Sequence, residues 1–197
     1  EAVSGKTDLD LLFFEKDKSA VHQIFNNIGA IKFIAVKERR YTKIDDFLLV
    51  DRDSGVLLHF HVHYQLVTGE KNVKSYHLPF ADEVILSRIK HPEIDFWISN
   101  PHHELVLLLI RQALRLTPFH LNRKKLPKIG KDTEFEFEWL NTRINRDELK
   151  SVAQKWTSDE TSCCMADIVD KGLNSAGIYS LNKMIRPHFA KYRKGNN

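Results

Sequence analysis

Residues 59–64 alternate strictly between histidine and large apolar side chains, in the order His-Phe-His-Val-His-Tyr. Successive side chains of a β-strand point to opposite faces, so this pattern places His59, His61 and His63 together on one face. The apolar side chains then form the other face, as in a sheet that is packed on one side and polar on the other. The alternation therefore predicts a half-buried sheet in this part of the chain.

The remainder of the first hundred residues is predicted to alternate between strands and helices. Residues 18–28 carry apolar side chains on one helical face, and Gly29 follows where a helix C-terminal cap is expected. The Asp-Arg-Asp-Ser-Gly segment at 51–55 is typical of the turn of a β-hairpin. Strands are predicted at residues 9–14, 31–36, 47–50 and 56–67.

The second half of the chain has the pattern of a helical region. Asn145 followed three positions later by Glu148 is a helix N-cap signal, and Gly172 is placed to end a helix. Residues 133–140 alternate glutamate with phenylalanine, so they are compatible with a strand or with a helix. Helices are predicted at residues 101–116, 145–156, 159–171 and 176–185, the last ending before Pro187.

These patterns predict an α+β fold with two parts, a mixed-sheet α/β domain at 1–100 and a helical domain at 101–197. The chain has 197 residues, of which 42% are hydrophobic, enough for a substantial core. Only 8 glycines and 6 prolines are present, which excludes collagen-like and linker-dominated classes.

The sequence favours a cytoplasmic location. Its longest apolar run, residues 105–110, is far shorter than a membrane span, and no signal-peptide pattern opens the chain. Cys163 and Cys164 are adjacent and cannot form a disulfide framework, which is typical of a reducing compartment. The first residue is Glu1 rather than Met, so the chain can belong to a longer protein.

A net charge of +4 and a pI near 9.0 are lower than those of most dedicated nucleic-acid-binding domains. Solvated basic surface explains this excess, and a phosphate-rich partner is the alternative, so nucleic acid is possible but not favoured. The basic residues cluster twice, at Arg123, Lys124, Lys125, Lys128 and Lys131, and at Lys183, Arg186, Lys191, Arg193 and Lys194.

Asp8 and Asp10 are the strongest candidates for chemistry. Two residues apart on a strand, their side chains face the same side about 7 Å apart at the backbone, close enough to hold one or two divalent cations. Such cations can bind a triphosphate and stabilise the oxygens that attack and leave phosphorus. The preceding turn offers backbone amides to phosphate oxygens, so the candidate nucleotide-binding residues are Ser4, Gly5, Lys6 and Thr7. A solvated pair of aspartates at the start of a strand is the alternative.

The segment Gly-Lys-Thr-Asp-Leu-Asp-Leu-Leu at 5–12, followed by a helix that ends at Ile28-Gly29, resembles the minimal nucleotidyltransferase superfamily, which has a polymerase-β-like fold. The histidine-bearing segment 56–71, Tyr-His-Leu-Pro at 76–79 and the Pro-His-His-Glu helix start at 101 are similar to one bacterial, polysaccharide-associated branch of it. The resemblance spans roughly residues 4–116.

The resemblance implies transfer of a nucleoside monophosphate from a nucleoside triphosphate to an unknown acceptor, with Mg²⁺ or Mn²⁺ as cofactor. It implies Asp8 and Asp10 as metal ligands and a third carboxylate on a later central strand. Residues 56–64 contain no carboxylate, and His59 takes that position as third ligand or base. The alternative is a catalytically inactive module of the same fold that binds nucleotide or a protein partner, including a fused or neighbouring domain.

Other interpretations remain open for the histidines and the smaller signals. The histidines can be hydrogen-bonded groups on a polar sheet face, or ligands of an independent zinc site. Two roles are open for Arg39, Arg40 and Lys43: they can be charged surface residues, or they can contact the oxygens of a triphosphate. Glu104 and Arg111 lie two helical turns apart and can both face the α/β part, where a structural role is favoured.

Overall fold

The computed structural model describes residues 8–34, 41–70, 74–117 and 126–194. Its contacts form two compact units, Glu1–Val67 with His77–Ile85, and Thr68–Tyr76 with Leu86–Asn197. The predicted domain boundary at residue 100 stays a prediction. Among the described residues, no helix combines the length and apolar character needed to cross a membrane.

The first unit contains a four-stranded mixed sheet, so the predicted α+β class is confirmed at that level. The strand order is β1-β4-β3-β2, with β1 parallel to β4 and the other neighbours antiparallel. Its strands are β1 (Leu9–Leu12), β2 (Ile31–Phe33), β3 (Ile44–Val50) and β4 (Leu57–His63).

Helix α1 (Lys18–Asn27) packs against one face of this sheet. Phe25 stacks on Phe47 with ring centroids 4.4 Å apart and meets Phe60 edge-on at 5.2 Å. Gly29 follows the helix with φ +81°, a backbone conformation that favours glycine, so the predicted helix and its terminator are confirmed. The buried residues of this core are Val21, Phe25, Ala30, Phe47, Val62 and Tyr64.

The predicted hairpin is confirmed, but its second strand is shorter than expected. Gly55 closes the turn by donating its N–H to the carbonyl of Asp51 at 2.8 Å. The single strand predicted at 56–67 is wrong, because β4 ends at His63, where its partner β3 begins at Ile44. After this interruption β5 (Leu66–Thr68) pairs with β6 (Tyr76–Leu78) in a separate small sheet.

The second unit is mainly helical, as the sequence predicts. Asn100 caps the helix Pro101–Arg115 by accepting a hydrogen bond from the His102 N–H. Asn145 caps the helix Arg146–Trp156 by accepting hydrogen bonds from the N–H groups of Asp147 and Glu148. The ambiguous residues 133–140 are helical. The described helices and strands that follow β6 are α2 (Ala81–Leu86), β7 (Ile89–Lys90), β8 (Trp97–Ile98), α3 (Pro101–Arg115), α4 (Lys131–Asn141), α5 (Arg146–Trp156), α6 (Asp159–Lys171) and α7 (Ser175–Phe189).

The prediction that the last helix ends before Pro187 is wrong. Helix α7 continues to Phe189, and Pro187 lies within its final turn, where the lost N–H removes only one backbone hydrogen bond. Ile185 and Phe189, one turn apart on the same face, are both fully buried. Burial of these two side chains favours continuation of the helix more than the proline opposes it.

Candidate metal centre

Three aspartates and three histidines share the face of the four-stranded sheet opposite α1. The strand register pairs His61 of β4 with Asp10 of β1 on one side and with Asp46 of β3 on the other. Directly paired residues point to the same face, so a carboxylate lies on either side of this imidazole. The predicted sharing of one face by the three histidines is confirmed. Among the residues that the structure describes, these six are Asp8, Asp10, Asp46, His59, His61 and His63.

Asp8 contacts two of the histidines. Its Oδ1 lies 2.9 Å from Nδ1 of His59, within hydrogen-bonding distance, and its Oδ2 lies 3.7 Å from Nε2 of His61. About half of the Asp8 side chain is exposed, against about a quarter of His59. The carboxylate of Asp8 is therefore accessible to a ligand that approaches this face.

Asp10 lies between the other two imidazoles. Its Oδ1 is 3.3 Å from Nδ1 of His61 and 3.3 Å from Nε2 of His63. Hydrogen bonds from His61 and then His63 hold the pKa of the Asp10 carboxyl well below its usual range. The same contact with Asp10 raises the pKa of His61, against the opposing effect of burial. Asp10 is thus a carboxylate anion over the whole physiological pH range.

Asp46 supplies a third carboxylate to this face. Its Oδ1 lies 3.4 Å from Nε2 of His61 and 3.5 Å from Nε2 of His59. The resemblance implied a carboxylate at residues 56–64, which contain none, whereas Asp46 lies on the adjacent strand β3. Asp46 was missed because that strand was predicted to begin at Phe47. If the predicted strand had begun two or three residues earlier, its alternation would have placed Asp46 on the polar face.

The Nε2 atom of His59 is buried and has no hydrogen-bond partner among the described residues. Its other ring nitrogen faces the Asp8 carboxylate, which favours the tautomer with the proton on Nδ1. Nε2 then presents a lone pair on the side of Asp46. A buried polar atom without a partner is unusual in a folded protein, and an imidazole lone pair is a metal ligand.

Asp45 points to the opposite face and has a structural role. It accepts contacts from Lys18 at 3.0 Å and His22 at 2.8 Å, both on or beside α1, and from Lys32 of β2 at 2.7 Å. Burial alone would raise its pKa, but the hydrogen bonds from Lys32, His22 and Lys18 outweigh burial and lower it to about 2. Adjacent aspartates on β3 therefore serve different faces: Asp45 holds the helix to the sheet, and Asp46 belongs to the candidate centre.

Most of the candidate phosphate contacts lie outside the residues that the structure describes. Arg39 and Arg40 lie outside the described residues, and so do the predicted nucleotide-binding residues Ser4, Gly5, Lys6 and Thr7. Lys43 is described, and its ammonium group pairs with the Glu15 carboxylate. The structure therefore gives Lys43 a partner within the protein.

Glu104 and Arg111, both on α3, interact with a glutamate of the next helix. Arg111 binds α4, where its Nη2 donates to both carboxylate oxygens of Glu136, at 3.0 and 2.7 Å. Burial raises the pKa of Glu104 to about 7; repulsion from Glu136 adds to this effect, and the Arg111 charge opposes it. These contacts within the helical unit agree with the structural role that the sequence favoured.

The chemistry of the candidate centre follows from its donor atoms. One donor atom each from Asp8, His59 and His61 lie within 4.8 Å of one another, and the same is true of Asp10, His61 and His63. Carboxylate oxygens suit Mg²⁺ and Mn²⁺, whereas imidazole nitrogens suit zinc and other transition metals. The donor set therefore fits divalent cations of both kinds.

Comparisons of the chain with protein-family models, with curated proteins and with solved structures found no match.

Proposed function

We propose that the chain is a nucleotidyltransferase, which transfers a nucleoside monophosphate from a nucleoside triphosphate to an acceptor hydroxyl or phosphate with divalent metal. The observation that carries this proposal is the placement of Asp8, Asp10 and Asp46 on one face of the sheet around His61. The resemblance of residues 4–116 to the nucleotidyltransferase superfamily supports it, and we propose the corresponding fold for the four-stranded sheet with α1.

In this proposal each side chain has a defined task. The carboxylates of Asp8, Asp10 and Asp46 hold Mg²⁺ or Mn²⁺, which neutralises phosphate charge and stabilises the attacking and leaving oxygens when bound. His59 acts as a further ligand or as a base through its Nε2, which lies 3.5 Å from Asp46 Oδ1 and makes no hydrogen bond among the described residues. Asp10 is a carboxylate anion at physiological pH, and the hydrogen bonds from His61 and His63 lower its pKa further.

A second candidate function is a nucleotide- or partner-binding module without catalysis. The observation that favours it is that the aspartates already have partners within the protein, with Asp8 hydrogen-bonded to His59 and Asp10 to His63. A face whose charges are compensated by imidazoles can persist without a metal ion. The two functions differ in whether nucleotide binding depends on metal and on the carboxylates.

Calorimetry with each nucleoside triphosphate, with and without Mg²⁺, separates the two functions. We expect Mg²⁺-dependent binding that is lost in Asp8→Asn, Asp10→Asn and Asp46→Asn. Asp53→Asn is the matched control, because Asp53 is an exposed aspartate in the turn between β3 and β4, away from the centre. Circular dichroism checks the folding of each variant.

The outcome decides between the candidates. Metal-dependent binding that requires the three aspartates and is unaffected in the control supports the transferase, and labelled product from an α-labelled triphosphate identifies it. Binding that is the same with and without Mg²⁺, and unchanged in the three variants, supports the inactive module. Absence of nucleotide binding under both conditions contradicts the proposal.

A further inference from the structure

A second cluster, distinct from that of Asp8, His59 and His61, lies at one end of the polar face and consists of Asp10, His61 and His63. The Asp10 Oδ1 atom is equidistant from Nδ1 of His61 and Nε2 of His63, at 3.3 Å in both cases. One donor atom from each residue lies within 4.8 Å of the other two. The three groups therefore converge on one small volume beside β4.

The two equal distances match the edge of a zinc coordination tetrahedron. With zinc–ligand bonds of about 2.0–2.1 Å, the ligand atoms of a tetrahedron are about 3.3–3.4 Å apart. The Asp10–His63 contact at this distance is also a hydrogen bond, although it is longer than the roughly 2.7–2.9 Å that is typical of a charge-assisted one. The Asp8 cluster does not have this regularity, because its Oδ1 is 2.9 Å from His59 and its Oδ2 is 3.7 Å from His61.

The surroundings of His61 also suit a metal ligand. A histidine that binds a metal through one ring nitrogen usually directs its other nitrogen at a carboxylate, which fixes the ring. If Nδ1 of His61 binds the ion beside Asp10, its Nε2 faces Oδ1 of Asp46 at 3.4 Å. Two imidazole nitrogens and one carboxylate oxygen leave further coordination positions open, as in catalytic zinc sites.

We propose that Asp10, His61 and His63 bind one transition-metal ion of the zinc class in preference to Mg²⁺. Two nitrogen ligands select zinc, cobalt and related ions, whereas Mg²⁺ prefers oxygen ligands in octahedral geometry. This inference rests on the proposed function, because Asp10 is one of its three carboxylates. It assigns a second ion, of a different kind, to one end of the centre, with Asp10 Oδ1 as its ligand and Asp10 Oδ2 left for the ion of the proposed function.

The test uses Co²⁺, whose visible spectrum reports the coordination geometry. The full chain is freed of metal with a chelator and titrated with Co²⁺, then with Zn²⁺ or excess Mg²⁺. We expect one equivalent of Co²⁺ with the intense bands of tetrahedral coordination, displaced by Zn²⁺ and not by Mg²⁺. The imidazole ¹⁵N resonances of His61 and His63 shift when Zn²⁺ binds to the unaltered chain, so this readout needs no variant.

Substitutions identify the ligands. His63→Ala is expected to weaken Co²⁺ binding by about 100-fold or more, since loss even of an outer partner typically costs 10–100-fold. His22→Ala is the matched control, because His22 binds Asp45 on the opposite face and is expected to leave the affinity unchanged. His59→Ala removes a member of the Asp8 cluster only. Its affinity for Co²⁺ is therefore expected to stay within a few-fold of the wild-type value.

Weak octahedral-type bands, displacement by Mg²⁺, or an unchanged affinity in His63→Ala would overturn the inference. An equal loss in His59→Ala would overturn the assignment of ligands. If His63→Ala does not fold, absence of the His61 and His63 resonance shifts in the unaltered chain overturns it instead. If the chain transfers nucleotide with Mg²⁺ but does not bind Co²⁺, the inference is wrong and the proposed function stands. If it binds Co²⁺ as expected but binds no nucleotide, the proposed function is wrong and the metal site stands.

Discussion

Glu104, near the start of α3, offers a quantitative test of the packing of the helical unit. Burial raises the pKa of its carboxyl from 4.5 to about 7, with a further contribution from the Glu136 charge and an opposing one from Arg111. In Glu104→Gln the side chain keeps nearly the same size and shape but cannot ionise. The substitution therefore removes the cost of a charged carboxylate at this position.

The sign follows from proton binding in the two states. Below about pH 4.5 Glu104 is protonated in both states, so it adds no pH dependence. Between about pH 4.5 and 7 the unfolded chain releases the proton while the folded chain retains it, so stability falls as the pH rises. Each pKa unit is worth about 1.4 kcal/mol, which gives at most about 3 kcal/mol, fully lost above about pH 7.

Urea denaturation of the wild type and Glu104→Gln, followed by circular dichroism at about pH 4.5 and about pH 8, measures the difference. The free energy of unfolding of Glu104→Gln minus that of the wild type should be larger at about pH 8 than at about pH 4.5, by up to about 3 kcal/mol. Glu138→Gln, an exposed glutamate on α4, is the matched control and should show almost no gain. A stability difference between wild type and Glu104→Gln that is the same at both pH values would refute the reasoning.

Three further substitutions test other parts of the fold by their free energy of unfolding. Asp45→Asn should destabilise the sheet unit by about 2 kcal/mol at neutral pH, because its lowered pKa contributes stability above the unfolded value of 3.8; that difference should vanish as the pH falls to about 2. Asn145→Ala should cost about 1 kcal/mol through loss of the α5 cap, and an unchanged denaturation midpoint would contradict this. Gly177→Ala should destabilise by about 1 kcal/mol despite the better helix propensity of alanine, because its Cβ would lie 2.9 Å from Cγ1 of Ile168; a gain in stability would show that α6 and α7 are less tightly packed.

Local signals allowed much of the secondary structure to be predicted. The cap at Asn145, the terminator at Gly172 and the turn that ends at Gly55 act over a few residues, and each marks an observed boundary. The alternation at 59–64 predicted which side chains of β4 share a face. In each case the information lies within one element of the chain.

Other features depend on contacts between distant segments. Asp46 joins the candidate centre because β3 starts at Ile44; the turn at 51–55 predicted that β3 pairs with β4, but not how far the pairing extends. Pro187 remains helical because Phe189 is buried against the rest of its unit. The partner of Arg111 was missed for the same reason, because Glu136 lies 25 residues away on another helix. Tertiary packing therefore determines all three features: the placement of Asp46, the helical conformation at Pro187 and the pairing of Arg111.

A crystal structure of the chain with Mn²⁺ and a non-hydrolysable nucleoside triphosphate tests the candidate centre most directly, because anomalous scattering locates the ion. We predict a manganese peak in contact with the carboxylates of Asp8 and Asp10, with the triphosphate bound to the same ion. A nucleotide bound elsewhere, or a polar face with neither ion nor phosphate at saturating concentrations, would contradict metal-dependent nucleotide chemistry on this sheet.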